Sequence, residues 1–277
     1  MPPDDATGYE SLHLEVDRGV MTVTIDHPPV NLFDLTLARD LKGLMGRLES
    51  DDATRVCIFK SANPEIFIAH YDLALLLDEP TDDVPIAPGG FNLLTERFRY
   101  LPQVSIGQIE GIARGGGSEF LLGLDLRFAA LDRAVIGQPE VALGILPAGG
   151  GSQRLTRLVG RSRALEICMG CEDLSAELAE RYGYVNRALP REELEDFVMH
   201  LTRRIASYPS SAIALTKASI NAADQHSMDG YVGEATGLAL AKRDGIAHRR
   251  MARALELGAQ TLEGEIGLQR ILGGLDG

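Results

Sequence analysis

The chain has 277 residues, 45% of them hydrophobic and 24% charged, which is enough to bury a core without disulfide staples. Asp and Glu outnumber Lys and Arg by 40 to 27, for a formal charge of -13, and Trp is absent. Such a field repels nucleic acid and anionic membranes, and no run of Lys and Arg interleaved with aromatics opposes it.

The opening MPPDDATGYE is acidic and has no apolar segment, so it reads as neither a secretory signal nor an Arg-rich transit peptide. No stretch approaches the ~18 apolar residues that cross a bilayer. The expectation is a cytoplasmic protein with no nucleic-acid and no membrane partner. Met21, Val23 and Ile25 alternate with Thr22 and Thr24, which predicts a half-buried strand ended by His27-Pro28-Pro29. From Thr36 onward Leu37, Leu41, Leu44 and Leu48 recur at helical spacing. Val56 to Phe59 and Phe67 to Ala69 are short apolar strands on either side of the Asn63-Pro64 turn. The acidic, Pro- and Gly-rich stretch Asp78 to Gly90 reads as a mobile loop, because strand signals resume beyond it.

Val104 to Ile109 is the next strand, followed by Gly115-Gly116-Gly117, a short apolar helix, and a strand over Leu126 to Ala130. Alternation of strand and helix predicts an α/β domain of repeated β-β-α or βαβ units. Beyond residue 150 helices take over. Gly160, Gly170 and Gly183 look like helix C-caps, and Pro190 opens a helix carrying Leu194, Phe197, Val198, Leu201 and Ile205. The layout is an α/β core over residues 1–200 and a helical C-terminal subdomain over residues 201–277. Cys168 and Cys171 form a lone C-x-x-C without a second ligand pair, and read as packing thiols on a helix. No metal site is expected.

The chemistry concentrates around Glu119. Three glycines at a strand-to-helix junction let the backbone approach a bound group, and the first N–H groups of the helix remain free for an anion or oxyanion. They read equally well as a tight turn that packs helix on sheet. The helix that follows, Phe120-Leu121-Leu122-Gly123-Leu124, is apolar on every side, so a carboxylate in its first turn should be desolvated. A Glu that merely complements the helix dipole is the alternative. Glu140, in Gly137-Gln138-Pro139-Glu140-Val141-Ala142-Leu143, is also a polar break in an apolar stretch, or a surface residue after a proline. If the two carboxylates converge, one can be held neutral as an acid and the other ionised as a base. Pro147-Ala148-Gly149-Gly150-Gly151 is a second glycine-rich junction leading into a helix, with a structural turn as its simplest reading. Ser118 is not in a G-x-S-x-G elbow, and neither G-x-G-x-x-G nor G-x-x-x-x-G-K-[ST] occurs.

GIARGGGSEFLLGLDLRFAA, followed by GQPEVALGILPAGGGSQRLTRLVG, resembles the core signature of the crotonase (enoyl-CoA hydratase/isomerase) superfamily, and the similarity runs from about Leu12 into the C-terminal helices. The resemblance implies the ClpP/crotonase fold, with repeated ββα units and a helical C-terminal region that drives trimerisation, trimers often pairing into hexamers. It implies an acyl-CoA substrate and no separate cofactor. Glu119 would activate water and Glu140 would protonate the α-carbon, which makes a hydratase. The oxyanion hole would be the backbone N–H groups of Gly116 and Tyr71, the latter in Ala69-His70-Tyr71-Asp72 where the family usually has A-G-x-D. The Ala69 backbone would face the adenine, and the Ala148 N–H would help hold the water. His70 in place of glycine and the bulky Tyr71 should reshape the pocket, with His70 serving as a pocket wall or loop-packing residue. An isomerase or other enolate chemistry, and an idle CoA-binding or scaffold subunit, are the competing readings.

Overall fold

The computed structural model describes residues 8–79, 87–224, 228–243 and 245–275. Strands β1 (Leu12–Asp17) and β2 (Val20–Ile25) form an antiparallel hairpin. Its two turn residues, Arg18 and Gly19, have φ of 46° and 82°, the left-handed conformation that a two-residue hairpin turn requires. Helix α1 (Leu35–Glu49) starts at Asp34, whose side chain accepts the N–H groups of Thr36 and Leu37, and it buries Leu37, Leu41, Leu44 and Leu48.

The chain then repeats one unit: a strand in a first sheet, a short strand in a second, and a helix. β3 (Val56–Ser61) and β4 (Ile66–Ile68) precede α2 (Leu73–Asp78) and α3 (Gly90–Tyr100). β5 (Val104–Ile109) and β6 (Ile112–Arg114) precede α4 (Gly116–Gly123), and β7 (Leu126–Ala130) and β8 (Val135–Gly137) precede α5 (Gly151–Val159). There follow α6 (Arg161–Gly170), β9 (Leu174–Ser175), α7 (Ala176–Tyr182) and β10 (Arg187–Leu189). The helices α8 (Arg191–Ala206), α9 (Ser210–Ala223), α10 (Met228–Arg243), α11 (Ile246–Glu256), α12 (Leu262–Ile266) and α13 (Leu268–Gly273) complete the described chain.

The first sheet has the order β1-β2-β3-β5-β7-β10, parallel from β2 onward, and the second has the order β4-β6-β8-β9. Strands covered on both faces read as continuous apolar runs, which is why Val56 to Phe59 shows no alternation and is buried throughout. The main core joins α1, the first sheet and α4, and at its centre the rings of Phe59, Phe98 and Phe120 meet edge to face at 5.3–5.8 Å.

Four features differ from the expectation. Gly170 ends α6 as its last residue, and the left-handed cap is Cys171 at φ 54°. The short strands β6 and β8, three residues each, have too few residues to show a period, and both were missed. The boundary drawn at residue 200 falls inside α8, whose Leu194 and Val198 pack on the first sheet with Val56, Ile58 and Ile106. Of the stretch read as a mobile loop, residues 80–86 lie outside the described residues, and Asp78 and Gly90 belong to helices. Cys168 and Cys171 are buried free thiols, as expected of packing residues.

Because Phe120 follows Glu119 and anchors α4 in the aromatic cluster, Phe120→Ala should cost about 3–5 kcal/mol in urea unfolding. A loss below about 1 kcal/mol would show that α4 is held by other contacts.

Candidate active site

Each glycine of the triplet clears a different neighbour. Gly115, the N-cap of α4, has φ 45° and ψ -122°, and a Cβ there would sit 2.7 Å from Glu140 Oε1. A Cβ on Gly116 would be 2.9 Å from the Tyr71 nitrogen, and one on Gly117 would run into the Ile68 carbonyl oxygen. The turn is thus a close docking of the α4 N-terminus against the backbone of residues 68–71.

That docking brings two N–H groups together. Phe33 bridges the strand-like segment at Tyr71: its N–H donates to the His70 carbonyl at 2.9 Å, and its carbonyl accepts from the Asp72 N–H at 3.2 Å. A parallel bridge of this kind engages residues 70 and 72 and turns the N–H of Tyr71 to the opposite edge, where Gly116 lies. Gly116 opens α4, so its N–H has no partner within the helix.

Glu119 and Glu140 are 5% and 8% exposed, so both carboxyls are largely desolvated. Glu119 Oε1 accepts the N–H groups of Gly149 and Gly151 at 2.6 and 2.9 Å. A Cβ on Gly151 would approach that oxygen to 2.8 Å, so the second glycine run also serves close approach. Burial first and the charge of Glu234 second push the Glu119 pKa up to about 7, against the pull of the two N–H groups and Arg154. Glu140 is driven well above the carboxylate range, by burial first and then by the charge of Glu119. With its nitrogen toward Glu140, the Gln138 amide donates to Oε1 and Oε2 at 3.2 and 3.0 Å and accepts from Ser118 Oγ at 3.2 Å. Amide donors therefore favour the charged form of Glu119, while Glu140 is the carboxyl more readily held neutral.

Both glutamates face one cavity of about 180 Å³, whose wall also includes His70, Tyr71, Gly116 and Ala148. Leu73, Leu76, Leu143, Leu146 and Leu238 make its walls mostly aliphatic. Ala148 has its carbonyl fixed by Asn92 Nδ2 at 2.9 Å. Ala69 and Asp72 do not line the cavity. The Ala69 N–H donates to Val30 and its carbonyl accepts from Arg114, while Asp72 caps α2 through the Ala74 N–H. Among the described residues no group of three or more His, Cys, Asp or Glu is arranged to hold a metal ion, and no helix is long and apolar enough to cross a membrane.

Sequence reasoning missed three contributors. Glu234 of α10 is 2% exposed and binds the same glycine-rich segment as Glu119. A signal existed: Tyr231, Glu234, Ala235 and Leu238 recur at helical spacing, which puts a carboxylate on the apolar stripe. Phe91 lines the cavity and stacks edge-on against Phe33 at 4.4 Å, but no motif marks it. Glu265 of α12, fully buried, meets His70 Nε2 at 3.0 Å. Nothing local to Glu265 announces a partner 195 positions away.

The sequence pattern of the enoyl-CoA hydratase/isomerase family matches residues 15–235. The chain belongs to that family. It is 33% identical over 208 residues to carnitinyl-CoA dehydratase of Escherichia coli (strain K12), covering 75% of this chain and 79% of that one. To the short-chain-enoyl-CoA hydratase of Clostridium acetobutylicum it is 31% identical over 217 residues, covering 78% and 83%. A crystal structure assigned provisionally as an enoyl-CoA hydratase from Streptomyces avermitilis superposes with a TM-score of 0.90 at 37% identity, over 97% of this chain and 99% of that one. The protein is therefore an enoyl-CoA hydratase-like enzyme of the crotonase superfamily and fold.

The chain has His70 where the resemblance implies a glycine. Of the described non-glycine residues only Arg18, Asn31, Cys171 and Gln260 have positive φ, so His70 carries no left-handed strain. Its Nδ1 lies 2.7 Å from the Tyr71 carbonyl and its Nε2 faces Glu265, so both ring nitrogens meet acceptors, an arrangement that favours the imidazolium. Burial opposes that charge, but the Glu265 carboxylate and the two hydrogen bonds outweigh it and raise the His70 pKa. Glu265 is penalised by burial too, yet His70 and Arg114 hold it below the usual range.

The raised His70 pKa contributes stability that is complete below its ordinary 6.5 and lost as pH rises through the folded value. The lowered Glu265 pKa contributes stability present above its ordinary 4.5 and lost as pH falls through the folded value. The pair is therefore strongest between about pH 5 and 6.5. Glu265→Gln should destabilise most in that window, by about 3–5 kcal/mol, and less on its alkaline side. Urea unfolding of both proteins from about pH 5 to 9 checks this; a difference independent of pH would exclude a charged pair.

Proposed function

We propose that the protein adds water across the double bond of a 2-enoyl-CoA thioester. The observation that carries this reading is one apolar cavity faced by two glutamates of unequal acidity and lined by Tyr71 and Gly116, whose backbone N–H groups have no backbone partner among the described residues. Glu119, favoured as the anion by two amide donors, takes a proton from water as the oxygen attacks the β-carbon. Charge moves to the thioester oxygen as an enolate, where the N–H groups of Tyr71 and Gly116 receive it; losing one such donor typically costs ~10²–10³ in rate. Glu140, the more readily neutral carboxyl, delivers its proton to the α-carbon. One carboxyl gains a proton and the other loses one, so the cycle closes by proton exchange with solvent. In reverse the same groups expel water from a 3-hydroxyacyl-CoA, the direction named in the carnitinyl-CoA dehydratase.

The Ala148 N–H is assigned to holding the attacking water, since its carbonyl is already pinned by Asn92. The Ala69 backbone is assigned to the adenine side, and His70 and Asp72 flank the Tyr71 donor rather than meet the reacting atoms. The aliphatic walls suit an apolar acyl chain. Self-association as a trimer is part of the same reading, and sedimentation of the purified protein tests it.

Hydration is followed by the loss of the conjugated thioester absorbance with crotonyl-CoA and longer 2-enoyl-CoAs. Glu119→Gln and Glu140→Gln should each lower kcat/KM by ~10²–10⁴. Full activity in both variants would end the proposal, and turnover of a 3-enoyl-CoA without hydration would favour an isomerase. In the wild type, kcat/KM should rise with pH through about 7 as Glu119 ionises, then fall as Glu140 loses its proton. A profile flat across that range would remove the paired acid and base.

A further inference from the structure

Glu119 is not alone on the segment that holds it. The N–H groups of Gly149 and Gly151 go to Glu119, and those of Gly150 and Gln153 go to Glu234, at 2.9 and 3.1 Å. Ser152 Oγ adds a bond to Glu234 Oε1 at 2.7 Å, and Asn92 Nδ2 one to Oε2 at 3.3 Å. Two buried carboxylates from different helices thus divide the amide groups of one turn, Glu119 taking those of residues 149 and 151 and Glu234 those of 150 and 153. Neither can move without turning donors away from the other.

We propose that Glu234 is a positioning residue that acts on Glu119 through this shared turn: it presents the Gly149 and Gly151 N–H groups to Glu119, and its charge makes Glu119 a stronger base than those donors alone would allow. The inference rests on Glu119 being the base in the proposed hydration. Other groups face Glu119 as well. Glu140 repels it from the β8–α5 connection, Arg154 of α5 attracts it, and the Tyr184 phenol and the Cys168 thiol feel its charge. Arg154 is already committed to Glu96 at 2.7 Å, and that carboxylate also accepts the Tyr231 hydroxyl at 2.7 Å. Glu234 is thereby the like charge with the most direct hold on Glu119, and the second cause, after burial, of its raised pKa.

A role in holding helices together would affect stability and KM, not the pH at which Glu119 works. Glu234→Gln keeps the shape and an acceptor oxygen but removes the charge. The acid limb of kcat/KM should then move to lower pH by on the order of one unit, with a several-fold lower plateau from the weaker base. Glu234→Asp keeps the charge and should leave the limb near its wild-type position, with its loss confined to kcat. If Glu234→Gln does not fold, Ser152→Ala decides: losing one donor makes Glu234 harder to ionise and should shift the limb the same way, by less. An unmoved limb in the folded variants overturns the inference. Full activity in Glu119→Gln would instead overturn the hydration reading, so the two failures are distinguishable.

Discussion

The contact on which the rest depends is the docking of the α4 N-terminus against the backbone of residues 68–71. Three successive side chains are missing there, and each absence makes room for a different group: Glu140 Oε1, the Tyr71 nitrogen and the Ile68 carbonyl. The approach joins the repeats, because residues 66–68 belong to the unit before α4, and it sets two N–H groups side by side at the cavity wall. A Cβ on Gly115 would displace the Glu140 carboxyl, and with one on Gly116 or Gly117, α4 would have to withdraw from that backbone. The site would then lose the spacing of its donors and the direction of Glu119 together.

The cavity gathers negative charge in a chain already at -13. Glu119, Glu140 and Glu234 are each less than a tenth exposed. Buried like charges are tolerated only where fixed dipoles replace water, and here the α5 N-terminus and the turn before it supply them. Backbone amides divided between Glu119 and Glu234 favour the charged form of both, while Glu140 has the Gln138 amide as its side-chain donor and its pKa is driven well above the carboxylate range. Unequal access to these N–H groups thus adds to the burial and the charge of Glu119 that drive Glu140 upward. No cation of the cavity wall is free of a carboxylate partner among the described residues: His70 faces Glu265, and Arg154 behind the wall faces Glu96.

Much of this was readable in the sequence because the signals are local. The glycine triplet followed by an all-apolar turn with one carboxylate, and the polar break at Glu140, give away two groups that burial would make costly without a use. The central strands of the first sheet, β2, β3, β5 and β7, are five or six residues long and announce themselves, as Val104–Ile109 does. In the second sheet β4 is betrayed by its apolar run, while the three-residue strands β6 and β8 carry no periodicity and escape. Glu265 escapes for a different reason: its meaning lies in a partner 195 positions distant, and amphipathic patterning cannot encode which charge meets which. Glu234 stands between these cases. Its place on an apolar helical stripe was visible, but its purpose needed the turn at Gly149–Gln153 to be seen beside it.

The histidine that stands where the resemblance implies a glycine shows how a departure can be absorbed. Glycine there would leave the Tyr71 segment loosely defined on one side. His70 instead ties it to Glu265, and Asp72 on the other flank accepts from Gln260 Nε2 at 2.8 Å. Gln260 also donates its own N–H to Glu265 Oε1 at 2.7 Å, and Arg114, bidentate to Asp173, reaches the Glu265 carbonyl at 2.6 Å. The two neighbours of Tyr71 are therefore held by one short C-terminal segment, which is itself fastened to the strand leading into α4. Both sides of the candidate oxyanion hole are braced through the same carboxylate-bearing residue. The extra side chain does not fill the place of the donors; it converts freedom of a loop into a buried ion pair whose strength depends on pH.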